Sequence, residues 1–250
     1  MRFFVFLLFC GFLFSCKKEQ KPLPVGEIIN KTIENAGGEK YRHAEISFLF
    51  RGKKYKSVRN CGMFSLERIS EDSLGNIRDV VTNEGFSRYR NGSLQSLADS
   101  MAVRYKNSVN SVHYFVQLPF GLNAPAVNKT LIGTDSIAGK IYYEIKVGFD
   151  QQGGGRDHED AYVYWINKND FTVDYLAYRY HTNGGGVRFR EAFNPRKIGG
   201  ICFVDYRNFA PENLDVKLSD LDSLFSAGKL NLFSTIENTK IEVKPTPGKC

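Results

Sequence analysis

The sequence predicts a mainly β protein built from antiparallel strands, with a few helices. Apolar and polar residues alternate with a period of two through most of residues 46–207, as expected for strands with one buried face. Turn signals such as Arg51-Gly52 and Asn91-Gly92 separate the alternating segments, and Asn-Gly tolerates the positive φ angles of a tight hairpin. Hydrophobic residues form 42% of the 250-residue chain, so a sizeable core is available.

Two helical segments frame the first group of strands. The first extends from Gly26 to Asn35, with its isoleucines on one face, and Gly37-Gly38 ends it. The second covers residues 96–118 and is expected to hold one or two helices that end before Pro119. The apolar density from Val112 to Phe120 is high for a surface helix, so we expect this segment to pack inside the sheet.

Five strands are predicted between the two helical segments and six after the second. The first group covers residues 46–50, 55–59, 63–69, 77–82 and 86–90. The second group covers residues 130–137, 141–149, 161–166, 171–181, 187–193 and 201–207. In 141–149, Ile141 and its alternate neighbours share one face, whereas Tyr142, Glu144 and Lys146 share the other, which predicts a half-buried strand.

The N-terminus resembles a bacterial lipoprotein signal. Arg2 precedes an apolar run of 12 residues, Phe3 to Phe14, which is shorter than the roughly 20 residues of a membrane-spanning helix. Ser15 and Cys16 then follow, and Cys16 is the expected lipid-attachment residue. The alternative is an ordinary secretory signal with a chance cysteine. We therefore divide the chain into a signal peptide (1–15), a lipidated tether (16–24), a main domain (25–210), and a C-terminal extension with a short helix and a frayed tail (211–250).

Charge and cysteine content exclude several classes of function. The net charge is +7, but no dense block of lysine and arginine occurs, so we expect no nucleic-acid partner. A mildly basic balance favours anionic headgroups. Cys61, Cys202 and Cys250 follow the tether, and this odd number excludes a complete internal disulfide framework. A Cys61–Cys202 bond is possible, and no CxxC motif predicts a zinc site.

The layout of the chain resembles the lipoprotein-carrier superfamily and its membrane-anchored receptors. The resemblance covers about residues 25–210 and rests on three segments: the helix-Gly-Gly-x-x-Tyr pattern of 29–41, the Phe-Arg-Gly-Lys-x-Tyr hairpin of 50–55, and the Tyr-Trp-Ile-Asn-Lys segment of 164–168. It implies a strongly curved, unclosed antiparallel half-barrel of about 10–11 strands, with the N-terminal and central helices plugging the concave face. It also implies an apolar cavity for acyl chains or other hydrophobic ligands.

Candidate ligand-binding residues are those expected to face this cavity. Arginines on the predicted strands could bind the headgroup of an anionic amphiphile while aromatic rings contact its chain, although strand arginines can equally face water. His113 is either a polar group in the pocket or a satisfied core residue. The candidates are Tyr55, Arg59, His113, Tyr114, Phe115 and Arg188.

Two triglycine segments, 153–155 and 184–186, are expected at hairpin ends on one rim of the cavity. The neighbouring rim candidates are Asp157, His158 and His181. The alternative is that the glycines only widen the turns and the charges are solvated. No HExxH-type spacing is present, so no metal or cofactor is predicted.

Together these observations predict a monomeric, lipid-anchored protein of the cell envelope, at the outer membrane, that binds a hydrophobic or amphiphilic ligand. The partners are then the membrane, through Cys16, and a small amphiphile. Two alternatives remain: an interaction module for an envelope protein, with its cavity filled by its own side chains, and an enzyme that uses rim histidines and carboxylates. No GxSxG elbow or other catalytic motif favours the enzyme.

Overall fold

The computed structural model describes residues 23–150 and 159–247. Cys16, Asp157, His158 and Cys250 therefore lie outside the described residues, as do the predicted signal peptide and most of the predicted tether. The described part has three α-helices: α1 (Val25–Ala36), α2 (Asp99–Val116) and α3 (Leu221–Ser226). The segment 96–118 thus contains the single helix α2. Within the described ranges, no helix combines the length and the apolarity that crossing a bilayer requires.

The first sheet contains seven antiparallel strands. Its members are β1 (Ala44–Phe50), β2 (Lys53–Asn60), β3 (Met63–Asp72), β4 (Gly75–Thr82), β5 (Gly85–Arg90), β6 (Ser93–Leu94) and β14 (Thr239–Pro245). Their order is β14-β1-β2-β3-β4-β5-β6. The β5–β6 hairpin turns at Asn91-Gly92, where both φ angles are positive (48° and 83°), as a tight hairpin turn that matches strand twist requires.

The second sheet also contains seven antiparallel strands. Its members are β7 (Val127–Ile137), β8 (Lys140–Phe149), β9 (Ala161–Asn167), β10 (Val173–Tyr180), β11 (Gly186–Ile198), β12 (Ile201–Ala210) and β13 (Asn231–Ile236). Their order is the reverse of the chain order, β13-β12-β11-β10-β9-β8-β7. Each sheet has two edges in the described residues, so the predicted fold class, mainly β with open antiparallel sheets, is confirmed. Residues 23–150 and 159–247 contain fourteen strands rather than the predicted 10–11, because β6, β13 and β14 are additional.

The corner between β13 and β14 joins the two sheets. Tyr206 of β12 pairs with Ile236 of β13, and Ile46 of β1 pairs with Val243 of β14. Asp205 holds the corner in place, because its carboxylate accepts hydrogen bonds from the backbone N–H of Asn238 (3.0 Å) and from Arg196 (2.8 Å). The two sheets are therefore joined at the middle of the 14-strand arrangement, and β6 and β7 lie at its two ends.

The inner faces of the sheets bury the helices. Ile28 and Ile29 of α1 are fully buried in a cluster with Ile145, Tyr164 and Leu176 of the second sheet. The C-terminal part of α2 contributes Val116 to a second cluster, against β1 and β2. Both helices therefore lie on the inner side, as the sequence predicts.

The outer face of the second sheet is also covered. Residues 216–230 pack Leu221 and Leu230 against the buried rings of Trp165, Tyr175 and Phe189. For this reason the prediction of a half-buried β8 is wrong: Tyr142 (1% exposed) and Glu144 (9%) are buried on the outer face. The sequence pattern alone did not show that a later segment covers this face.

Cys61 and Cys202 do not pair. Cys202 is a free cysteine, with its Sγ 3.7 Å from the carbonyl oxygen of Asn35. Cys61 is disulfide-bonded, and Cys202 is not its partner. The pairing that the sequence left open is therefore not formed.

Candidate functional site

A cavity of about 940 Å³ lies between the two sheets, beside α2. The first sheet contributes Arg68 and Arg88, the second contributes Tyr162 and Tyr178, and α2 contributes Phe115 among other residues. This volume is near the upper end of the range of about 300–1,000 Å³ that small-molecule sites occupy. We therefore take this cavity as the candidate functional site.

The wall on the first sheet is built around one buried carboxylate. Asp79 of β4 lies directly opposite Arg68 of β3 and Arg88 of β5 in the strand register. Asp79 is 1% exposed and accepts hydrogen bonds from both guanidinium groups, at 2.6 Å from Arg68 Nη2 and 2.6 Å from Arg88 Nε. One negative charge thus offsets two positive charges, and the group of three keeps a net positive charge on the cavity wall.

Two further cations on the wall have no ion-pair partner among the described residues. Arg104 of α2 and Lys53 of β2 both line the cavity and are exposed. Tyr105, the neighbour of Arg104, stacks on the guanidinium of Arg88 with 3.4 Å between the guanidinium carbon and the ring centroid. Unpaired cations beside a cavity favour an anionic group on the ligand, because charge-assisted hydrogen bonds to carboxylate or phosphate are the strong ones.

The opposite wall is aromatic. Tyr178 and Tyr180 are alternate residues of β10 and therefore face the same side of the sheet. The ring of Tyr178 lies 5.7 Å from Tyr162 and 5.3 Å from Phe115 between centroids. These rings can contact the acyl chain of a ligand.

The rim near the second sheet is acidic. Asp160 is 7% exposed, and its carboxylate lies 3.3 Å from the backbone nitrogen of His181 and 3.4 Å from its Nδ1. The side chain of His181 is 55% exposed and lines the cavity. The structure therefore places His181 at the cavity, whereas Asp157 and His158 lie outside the described residues. In the described ranges, no group of three or more His, Cys, Asp or Glu side chains could hold a metal ion.

Of the six candidate ligand-binding residues, Phe115 lines this cavity. Tyr55 is 3% exposed and packs on Phe48 in the core, with 5.3 Å between ring centroids. The Tyr114 hydroxyl is 2.7 Å from that of Tyr164, and burial raises the pKa of Tyr114. These two tyrosines thus serve the core.

The two arginines selected from the sequence do not line this cavity. Arg59 donates a hydrogen bond to Oε1 of Gln117 and lies 5.0 Å from the Phe120 ring; burial lowers the pKa of Arg59 to about 10. Arg188 stacks on Phe233 at 4.2 Å and on Tyr180 at 5.5 Å. Both side chains are therefore held by protein contacts.

His113 is a satisfied core residue. It is 1% exposed, its Nε2 lies 3.1 Å from the carbonyl oxygen of Glu67, and its Nδ1 lies 3.2 Å from Nε2 of Gln117. A ring that donates to the carbonyl and accepts from the amide is a neutral imidazole. Burial lowers the pKa of His113 to about 4.

This lowered pKa predicts a loss of stability in acid. His113 has a pKa near 6.5 in the unfolded chain and about 4 in the folded chain. The contribution of the neutral ring to the free energy of unfolding is therefore full above pH 6.5 and is lost as the pH drops toward 4. At pH 4.5 the loss due to His113 is expected to be about 2 kcal/mol relative to pH 7. We expect His113→Gln to remove this part of the pH dependence in urea unfolding at the two pH values. Equal losses in both proteins would contradict the assignment.

The fold and the cavity define a class: an open, two-sheet antiparallel β protein with an internal site lined by arginine and aromatic residues. The chain belongs to a family of unknown function, DUF6503, whose model matches residues 1–238. No curated protein matches the chain.

Solved structures of low sequence identity resemble the fold. A LolA superfamily protein from Nitrosomonas europaea has 11% identity and a TM-score of 0.49, with 90% of this chain and 96% of that chain covered. A DUF1329 family protein from Desulfovibrio piger has 12% identity and a TM-score of 0.41, with 83% and 99% covered. The lipoprotein LppX from Mycobacterium tuberculosis has 9% identity and a TM-score of 0.28, with 64% and 88% covered.

Proposed function

We propose that this protein is a lipid-anchored binding protein of the cell envelope that holds an anionic amphiphile in the 940 Å³ cavity. The observation that carries the proposal is the division of the cavity wall into a cationic side and an aromatic side. Arg68, Arg88 and Arg104 offer guanidinium groups for a carboxylate or phosphate headgroup. Phe115, Tyr162 and Tyr178 offer rings for the apolar chain.

Noncovalent contacts are sufficient for such binding. Each methylene buried from water contributes about 0.8 kcal/mol, so a chain of several methylenes in contact with the rings supplies much of the affinity. The guanidinium groups add charge-assisted hydrogen bonds and select ligands with an anionic end. Arg104 is the sharpest test of this selection, because it has no ion-pair partner among the described residues and lies on the exposed side of α2.

The anchor rests on the N-terminal sequence. We infer lipidation of Cys16 and attachment to the outer membrane, because the short apolar run, Ser15 and Cys16 have the order of a lipoprotein signal. Stable attachment requires more than one acyl chain, since a single chain binds membranes only marginally. A Cys16→Ala variant is expected to leave the membrane fraction of fractionated cells; retention in the membrane pellet would contradict the anchor.

Ligand uptake can be tested with palmitate and its uncharged analogue hexadecanol. Each compound is added as a competitor to purified protein that carries a dansyl fatty acid, and native mass spectrometry detects any amphiphile that co-purifies. We expect palmitate to compete better than hexadecanol, and Arg104→Gln to weaken palmitate about tenfold, which corresponds to the loss of one charge-assisted hydrogen bond.

The matched control is Lys106→Gln, which removes one positive charge from the exposed surface of the same helix outside the cavity. It is expected to leave palmitate competition unchanged. A protein that repeatedly purifies empty and takes up neither probe would overturn the proposal. The open cavity argues against the alternative of an interaction module filled by its own side chains.

A further inference from the structure

A second cavity, of about 290 Å³, lies on the other side of Phe115. Ser111, Phe115 and Tyr178 line both cavities, so the Phe115 ring stands at the boundary between them. The smaller cavity is also lined by Val112 and by Ile236 of β13. Its volume is at the lower limit of small-molecule sites, about 300 Å³, so it suits a short ligand.

Arg190 is a buried cation on the wall of this cavity. It is 7% exposed and has no ion-pair partner among the described residues. Its guanidinium lies 4.0 Å from the Phe115 ring centroid and 4.9 Å from that of Tyr178. These rings stabilise the charge without neutralising it, whereas buried arginines are usually paired with a carboxylate.

The hydrogen bonds of Arg190 leave part of the guanidinium available. Nη2 donates to the Tyr178 hydroxyl at 2.7 Å, and Nε approaches Oδ1 of Asn208 at 3.4 Å. A guanidinium has five N–H donors, so three remain without a protein acceptor in the described residues. The charge and these donors together select an anionic acceptor on a ligand.

Asn238 supplies an independent observation on the same wall. It is 4% exposed and lines the cavity, and its Oδ1 is buried without a hydrogen-bond partner in the described part of the chain. Its backbone is fixed by Asp205 and Arg196, so the side chain is presented by a rigid corner. A buried unpaired amide oxygen costs about 1–3 kcal/mol, and a ligand N–H or O–H would remove this cost.

We propose that the smaller cavity is a second binding site, for an anionic molecule that carries an adjacent hydrogen-bond donor and a short apolar chain. The anionic group binds Arg190, the N–H or O–H donates to Asn238, and the chain contacts Val112 and Ile236. N-acylated amino acids are a class with all three features. This site does not depend on occupation of the larger cavity.

Three probes separate these features: N-octanoylglycine, N-octanoylsarcosine, which replaces the N–H by N–CH₃, and N-octanoylglycine methyl ester, which lacks the charge. In isothermal titration we expect N-octanoylglycine to bind most tightly, N-octanoylsarcosine about tenfold more weakly, and the methyl ester about tenfold more weakly again. Arg190→Met is expected to weaken N-octanoylglycine at least tenfold. Asn238→Leu is expected to abolish the preference for glycine over sarcosine without loss of stability, because it removes an unpaired polar atom.

Controls distinguish this site from the larger cavity. Arg104→Gln changes only the larger cavity and is expected to leave the affinity for N-octanoylglycine unchanged. Arg190→Lys keeps the positive charge and is expected to fold and to retain part of the affinity for N-octanoylglycine. Loss of the probe in Arg104→Gln with no change in Arg190→Met and Arg190→Lys would overturn this inference and leave the proposed function standing. Failure of the wild-type protein to bind N-octanoylglycine, with palmitate still bound, would also overturn it.

Discussion

Asp79→Asn is expected to lower the free energy of unfolding by about 3 kcal/mol, because it leaves two buried guanidinium groups without their shared counter-charge. Arg68 and Arg88 both contact Asp79, which is 1% exposed. Removing one partner of a buried ion pair is costly because the remaining charge stays away from water. Urea unfolding followed by circular dichroism measures the change.

The control for this prediction is Asp72→Asn. Asp72 forms a similar two-point contact with Arg90 in the same sheet. However, the Asp72 side chain is 41% exposed and the Arg90 side chain 27% exposed, and pairs that water reaches contribute little. We expect its unfolding midpoint to stay close to that of the wild type. Adding Arg88→Gln to Asp79→Asn is expected to restore part of the lost stability. Equal losses of unfolding free energy in Asp79→Asn and Asp72→Asn would show that the buried Asp79 network does not stabilise the fold more than an ion pair that water reaches.

Leu221→Ala is expected to cost about 2–5 kcal/mol, the range for truncation of a buried leucine. Leu221 of α3 is 0% exposed and packs in the cluster that contains Trp165 and Phe189. The loss loosens the segment that covers the outer face of the second sheet. Because the chain contains one tryptophan, and Trp165 lies under this segment, its fluorescence reports the change directly.

We expect a red shift of Trp165 emission at urea concentrations below the main unfolding transition of Leu221→Ala. Leu214→Ala is the matched control, since Leu214 is 47% exposed in the same C-terminal region and surface substitutions usually change stability by less than about 0.5 kcal/mol. An unshifted emission with normal stability in Leu221→Ala would show that α3 does not hold this face closed.

The sequence predicts local structure better than long-range pairing. Turn residues with positive φ, at Arg51-Gly52 and Asn91-Gly92, define the hairpins and therefore their register. Register alone places Asp79 between Arg68 and Arg88. The strands β13 and β14 were not predicted, although residues 239–245 alternate, because their partners β12 and β1 are chosen by tertiary packing.

The candidate site also combines residues that the sequence predicts with residues that only the tertiary structure shows. Phe115 and His181 line the large cavity, but nine arginines lie on the predicted strands and look alike in the sequence. Which of them face a cavity depends on which side of the sheet the helices cover. No sequence pattern indicates Arg104 or Asn238. Arg104 is a single cation on a helix. Asn238 lies at the corner between two strands, and its importance comes from an unpaired side-chain oxygen.

The β13–β14 corner has a consequence for how the molecule is made. The strand β14 pairs with β1, from Ala44 opposite Pro245 to Leu49 opposite Thr239. This pairing can form only after about 200 further residues have been synthesised. Such non-local pairing slows folding. Until then β1 has an open edge, which is a template for aggregation. We therefore expect a chaperone to protect this edge until β14 is available for pairing.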